Sequence, residues 1–218
     1  MNNGYLFTKI RQRFDSAAIE DIEQAVAQQF DNDKLQIAPG ARIAITSGSR
    51  GVANIARITK AVVAAVKAKG GEPFIIPAMG SHGGATGEGQ REILESYGVT
   101  EEAMGCPIHS SMEVVELDSG GLELPVFMDK YAYEADGVIL VNRIKPHTAF
   151  HGDYESGLVK MSVIGLGKER QASALHSFGI YGLKTLMPKV ARQILATGKI
   201  LLGVGIVENA YDETAMIE

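Results

Sequence analysis

Along the 218-residue chain one order of blocks recurs: a short apolar run, a glycine-containing polar loop, then apolar residues at helical spacing. The first clear case is RIAITSGSRG, where Ile43 and Ile45 predict a short strand ending at Gly48. It is followed by NIARITKAVVAAVKAKGG, which places Ile55, Ile58, Val62, Ala65 and Val66 on one face of a helix. PFIIP, AMGSHGGATG and EGQREILESYG form a second strand, loop and helix, closed by Gly98 at a C-cap position. The third unit begins at DGVILVN, whose polar loop carries histidines, and the helix TLMPKVARQILATG follows with Pro188 near its first turn. KILLGVGIVEN is predicted as the last strand.

Ahead of these units, residues 5–10 predict a short strand. Residues 17–30 predict a helix started by Asp15 or Ser16, with Ala18, Ile19, Ile22, Ala25, Val26 and Phe30 at its packing positions. Asn32, Asp33, Pro39 and Gly40 punctuate the loop that leads into the core. Between about residues 107 and 127 the text MEVVELDSGGLELPVF reads as a hairpin turning at Ser119-Gly120-Gly121. Strand–loop–helix repetition points to an α/β fold: a Rossmann-like three-layer domain with a mainly parallel sheet and a small β-hairpin insertion. Residues 1–218 then make one domain, with 1–40 as an N-terminal strand and helix and 41–208 as the core.

Composition narrows the partners. With 45% hydrophobic and 22% charged residues the chain is globular. A net charge of −5 gives no electrostatic footprint for nucleic acid, and no long Lys/Arg run addresses a membrane surface. The single cysteine, Cys106, excludes an internal disulfide and any multi-cysteine zinc or iron–sulfur site. Nothing resembles a signal peptide or a bilayer-spanning run, so the cytoplasm is the default location. A small molecule remains as the expected partner, and homo-oligomerisation is left open.

Candidate chemistry concentrates in residues 142–176, which hold three of the five histidines beside Lys145, Lys160, Lys168 and Arg170. Arg50, His82 and His147 each follow an apolar strand run by a few residues. In an open α/β sheet such positions face the crevice beyond the carboxyl ends of the strands. A lone loop histidine is ordinarily solvated or locally bonded, and a Gly-rich loop often only solves a turn. Repetition at three strand ends favours a shared crevice. His109 and Cys106, in GCPIHSS, read as structural.

These residues resemble the N-terminal domain of the nickel-pincer lactate racemase family, enzymes acting on 2-hydroxy acids. AMGSHGG resembles the loop with one catalytic histidine, which maps to His82, and TSGSRGV the segment with the substrate-carboxylate arginine, which maps to Arg50. His147, in KPH, resembles the second catalytic histidine, and SGLVK the segment whose lysine carries the cofactor, which maps to Lys160. His176, 16 residues after Lys160, fits the family's nickel-ligating histidine. Three departures stand out. A short insertion around HGDYE makes His151 a rival to His147, Leu158 replaces a glycine of the lysine segment, and Ser47 stands where the family has an aspartate.

The resemblance implies a racemase or epimerase of 2-hydroxy acids, using a nickel-pincer nucleotide and reversible hydride transfer with two histidine acid/bases. Gly165, Gly167, Lys168 and Arg170 are candidate partners of the nucleotide phosphate. The resemblance also implies a C-terminal domain beyond this chain, without which the crevice stays open and turnover is not expected. Two other readings remain. Three histidines, His82, His147 and His176, could hold a hydrolytic zinc ion, or the Gly-rich loops alone could bind a nucleotide or other anion.

Overall fold

A computed structural model describes residues 7–31 and 35–218. In chain order the elements are α1 (Ile22–Phe30), β1 (Arg42–Ser47), α2 (Ile55–Ala68), β2 (Glu72–Pro77), α3 (Gly87–Ser96), α4 (Glu101–Met104), β3 (Val114–Leu117) and β4 (Val126–Asp129). Then follow α5 (Lys130–Glu134), β5 (Gly137–Arg143), α6 (Leu158–Lys160), a π-helical turn (Met161–Gly165) and α7 (Lys168–His176). The chain ends with α8 (Gly179–Tyr181), a second π turn (Gly182–Leu186), α9 (Met187–Ala196), β6 (Ile200–Glu208) and β7 (Thr214–Ile217).

The main sheet has the order β2-β1-β5-β6-β7, parallel except for β7. Alternation along each strand divides the interior into two cores. Ile43, Ile45, Ile75, Ile139 and Val141 face α1, α2 and α3, whereas Ala44, Phe74, Ile76, Val138 and Leu140 face the π turn, α7, α9 and the β3–β4 hairpin. Both faces of the parallel strands are covered, which is why these runs are continuously apolar. The result is the expected three-layer α/β sandwich with its antiparallel hairpin.

From β1 the chain passes through α2 to β2 on one side, while β5 lies on the other, so the topology switches between β1 and β5. Backbone pairing there covers only Ile43–Ile45 with Gly137–Ile139. Beyond it the Val141 N–H donates to Thr46 Oγ1 at 2.9 Å, so a side chain replaces the next ladder bond. The two strands part at their carboxyl ends.

Lys168 is wholly buried in the second core region, with its Nζ 3.0 Å from Asp129 Oδ2. The ammonium also donates to the Pro77 carbonyl at 2.5 Å and to Gln90 Oε1 at 3.3 Å. Burial pushes the Asp129 carboxyl up and the Lys168 ammonium down, each against the pull of its partner.

Several local expectations need correction. Tyr5 and Leu6 of the predicted first strand lie outside the described residues, and residues 7–10 form no strand and are exposed. The first helix begins at Ile22 with Asp21 as its cap, accepting from Gln24 N at 2.8 Å, not at Asp15 or Ser16. Ile19 N–H is already given to Thr214 O at 2.8 Å, which takes the preceding segment off the helical path. β6 is not the last strand: Asn209 Oδ1 accepts from Tyr211 N and Glu213 N, turning the chain into β7. The stretch after the third strand is a loop only to about residue 157, and its second half is helical.

Removing one member of a buried pair leaves the other charged and unsolvated. Lys168→Met should therefore lower unfolding free energy by about 3–5 kcal/mol, and Lys168→Met with Asp129→Asn should recover part of it. Urea unfolding of both variants checks this, and an undiminished midpoint in Lys168→Met would show the pair to be structurally idle.

Candidate functional site

Where β1 and β5 part, a cavity of about 230 Å³ opens at the carboxyl edge of the sheet. Gly48, Ser49 and Arg50 come to it from the β1 loop, Met79 and His82 from the β2 loop, and Asn142, Lys145 and His147 from the end of β5 and its loop. Lys160, Met161, Ile164 and Gly165 close its floor from the helical segment. Arg50, His82, His147, Lys160 and Gly165 are thus brought together from separate parts of the sequence. Its lining includes three basic side chains, Arg50, Lys145 and Lys160, and no Asp or Glu.

Each wall is held by identifiable bonds. Ser49 O accepts from Tyr97 Oη at 2.6 Å, and Glu208 Oε1 accepts from Ala53 N at 2.6 Å while its other oxygen pairs with Arg143. The loop around Arg50 is therefore tied to α3 and β6. Gly83, at φ +65°, turns the His82 loop so tightly that a Cβ there would lie 2.6 Å from Gln90 N. Gly165 lets the π turn approach the β2 loop, since a Cβ would meet Met161 Sδ at 2.6 Å and Ala78 O at 2.9 Å. Glu155 organises the β5 loop by accepting from His147 N at 2.7 Å and Gly152 N at 3.1 Å.

The two histidines are tethered differently. His82 Nδ1 shares a short hydrogen bond with Ser49 Oγ, a hydroxyl that can donate or accept. His147 Nδ1 accepts the Ala149 N–H at 3.1 Å, so its neutral ring carries the proton on Nε2. Its ring also packs on Phe150 at 4.4 Å between centroids. Partial burial, then the charges of Arg50 and Lys160, hold the His82 pKa below the ordinary value. Burial and then Lys160 do the same for His147, with Glu155 opposing. Lys160 is itself lowered, by burial first and then by Arg50 and Lys145.

Other expected site residues lie elsewhere. Lys168 is neither a phosphate partner at the cavity nor a solvated residue, because its ammonium is consumed by Asp129, Pro77 O and Gln90. Gly167 serves packing, as a Cβ would lie 2.2 Å from Gln171 Cβ. Arg170 stacks over Phe127 at 4.7 Å. His176 is exposed at the end of α7, its Nδ1–H given to Ala172 O at 2.5 Å, and it does not line the cavity. His151 is 90% exposed, bonds Glu155, and lines an adjoining groove of about 730 Å³ that shares Lys145, Ser156 and Lys160 with the cavity. Of the two rivals, His147 is the one at the cavity.

Among the described residues no group of three or more His, Cys, Asp or Glu side chains could hold a metal ion, so a three-histidine zinc site has no ligand set here. Likewise no helix among them is long and apolar enough to cross a membrane. Sequence reasoning overlooked Ser49, Asn142 and Glu155. Their only signal was position, each within a few residues of a predicted strand end or histidine.

The profile of the lactate racemase N-terminal domain matches residues 6–185. The chain belongs to that family. A crystal structure of a Thermotoga maritima protein from the Northeast Structural Genomics Consortium resembles it with a TM-score of 0.59 at 15% identity. That match covers 90% of this chain and 53% of the other, so the chain spans about half that protein's length, and at such identity the likeness is one of fold. No curated protein matches the sequence. Membership places a lactate racemase-like N-terminal domain on the same residues that build the cavity.

The depressed histidines carry a sign for stability. Their folded pKa lies below the unfolded value of about 6.5, so the unfolded chain takes up the proton first. Their contribution is full above that value and is lost as pH falls through the folded pKa. Lys160→Met removes a nearby positive charge and should raise the NMR titration midpoints of both His82 and His147. Unmoved midpoints would mean that Lys160 does not face these rings.

Proposed function

We propose that this domain provides the N-terminal catalytic part of a nickel-pincer-nucleotide-dependent 2-hydroxy acid racemase or epimerase, with His82 and His147 as acid/bases. One observation carries the reading: a carboxylate-free, cation-lined cavity with two histidines on separate loops and a lysine of depressed pKa. A 2-hydroxy acid is an anion, and among the described residues no carboxylate is ion-paired with Arg50, which leaves the guanidinium to clamp the substrate carboxylate. The C–H bond beside that carboxylate is too weakly acidic for imidazole to deprotonate directly.

The nickel-pincer nucleotide, when bound, supplies the hydride acceptor. Lys160 fits its attachment, because a lowered pKa leaves more of the amine neutral and nucleophilic. Gly165 lines the cavity beside it. His176, outside the cavity in this arrangement, does not support the nickel-ligand role. His82 takes the substrate hydroxyl proton at Nε2 when Nδ1–H is donated to Ser49 Oγ. His147 acts at Nε2 only after Nδ1 becomes protonated and releases the Ala149 N–H, so that contact has to break for it to work.

The test is the complete, cofactor-loaded enzyme. Mass spectrometry should find an adduct on Lys160 that Lys160→Ala abolishes. His82→Ala and His147→Ala should keep the adduct and lose about 10²–10⁴-fold in turnover, measured by chiral assay of the 2-hydroxy acid. Wild-type turnover in either histidine variant would remove that residue's role. A protein that only binds an anion would keep its affinity in both.

A further inference from the structure

The buried polar cluster behind the cavity is used by none of the steps above. Gln90, on the inner side of α3, is fully buried and joins two sets of partners. Its Nε2 donates to Gly80 O at 2.9 Å and to His82 O at 3.2 Å, both in the loop that delivers His82. Its Oε1 accepts from Lys168 Nζ at 3.3 Å. That contact decides which end of the amide faces the loop: an ammonium group can only donate, so the oxygen turns to Lys168 and the NH₂ to the two carbonyls. Lys168 is in turn fixed by Asp129 at 3.0 Å and by Pro77 O, the last residue of β2. Asp129 is anchored at the end of β4 by accepting from Ala132 N at 3.0 Å.

The loop from β2 to His82 is therefore gripped at residues 77, 80 and 82 by two side chains that share one contact. Lys168 also begins α7, directly after the segment that carries Lys160 and Gly165, and it does so at φ +54°, a left-handed conformation that lysine rarely adopts. Such a conformation persists where its surroundings determine it. The same residue thus joins the Lys160 wall of the cavity to the His82 wall.

We propose that Gln90, oriented by the Lys168–Asp129 pair, is a positioning residue that holds His82 in the cavity. It touches no substrate atom and acts through the backbone of the His82 loop. The link to hydroxy-acid chemistry rests on the function proposed above, but the positioning itself does not.

The experiment follows the His82 imidazole by ¹H–¹⁵N NMR in the full 218-residue chain, its signal assigned by loss in His82→Gln. Two variants are compared with wild type: Gln90→Met, which removes the donor to both carbonyls, and Lys168→Met with Asp129→Asn, which removes the orienting charge without changing net charge. Circular dichroism and a cooperative unfolding transition establish that each is folded. In both, a loosened loop should take the ring out of its partly buried position and away from Arg50 and Lys160, so the His82 midpoint should rise toward the ordinary histidine value of about 6.5. The His147 midpoint, set on another loop, should stay where it is. A general loss of packing would move both rings, and that result overturns the proposal, as does an unmoved His82 in either folded variant. In the complete loaded enzyme Gln90→Met should lower kcat at least about 10-fold with KM unchanged, since small misplacements of a catalytic group are costly. If His82 moves as expected while wild-type enzyme turns over no 2-hydroxy acid, the positioning role stands and the proposed activity falls.

Discussion

Lys168 brings a charged group into a fully buried region, and much of the molecule is arranged around that fact. An ammonium ion buried without partners is too costly to persist, so every donor has to be met by an acceptor of fixed position. Here the acceptors come from the end of β2, the end of β4 and the middle of α3. None of these elements can shift without leaving the ammonium or the Asp129 carboxylate short of a partner. The same demand holds the hairpin against the sheet, since Asp129 N–H also donates to Leu166 O at 2.7 Å, two residues before the lysine. A chain that met only the apolar requirements of this core would leave the hairpin and the His82 loop free to slide.

Above that anchor, the cavity owes its location to a failure of strand pairing. Thr46 offers its hydroxyl where β1 would otherwise offer a carbonyl, and β1 and β5 separate over their last residues. The loops that leave these strands carry Arg50 and His147, and the neighbouring strand carries His82. Charge then collects there against the sign of the whole chain. The protein is net −5, yet the cavity is lined by Arg50, Lys145 and Lys160 without a carboxylate. Burial first, and then that local field, which low-dielectric walls strengthen, hold down the pKa values of His82, His147 and Lys160. An anion entering the cavity removes the repulsion that the cations now exert on one another.

The parallel strands, α2, α3, α9 and the hairpin were legible because their apolar patterns are clean, whereas α7 was read as part of a loop because its polar and small residues give little apolar period. β7 was not legible either, since four residues held by a side-chain turn at Asn209 carry little periodic signal. Arg50, His82 and His147 were legible at the cavity through strand-end position and motif together, and Lys160 through its motif alone. Lys168 was misread because a lysine beside glycines looks like an anion site in one dimension. Its actual partners, Pro77, Gln90 and Asp129, lie 91, 78 and 39 residues away along the chain. No local pattern announces a buried pair of that span. His176 was placed by spacing alone, and spacing does not say which side of α7 meets solvent. The insertion at HGDYE, which left two histidines as rivals, is explained by Glu155: it binds His147 through the backbone N–H and His151 through the ring, turning the first inward and leaving the second outside.

The tethers of the two cavity histidines bear on how a site of this kind would handle mirror-image substrates. A symmetric pair of acid/bases would need each ring to exchange its proton with equal ease. His82 leans on a hydroxyl, which can reverse its role by rotating about one bond, so proton gain and loss at Nε2 need no backbone movement. His147 leans on a backbone N–H, which can only donate; protonating the ring at Nδ1 forces that contact to break and the ring to turn away from it. The second change is the more costly kind, because it gives up a hydrogen bond that leaves a backbone N–H without its partner. Under the proposed chemistry the direction that begins at His82 therefore starts from a ready base, and the direction that begins at His147 starts from a conformational step. Equilibrium between the enantiomers is untouched by this, being set by the substrates alone. The asymmetry falls on the rates of the individual steps, and on which half-reaction responds first to anything that loosens the loop around Glu155.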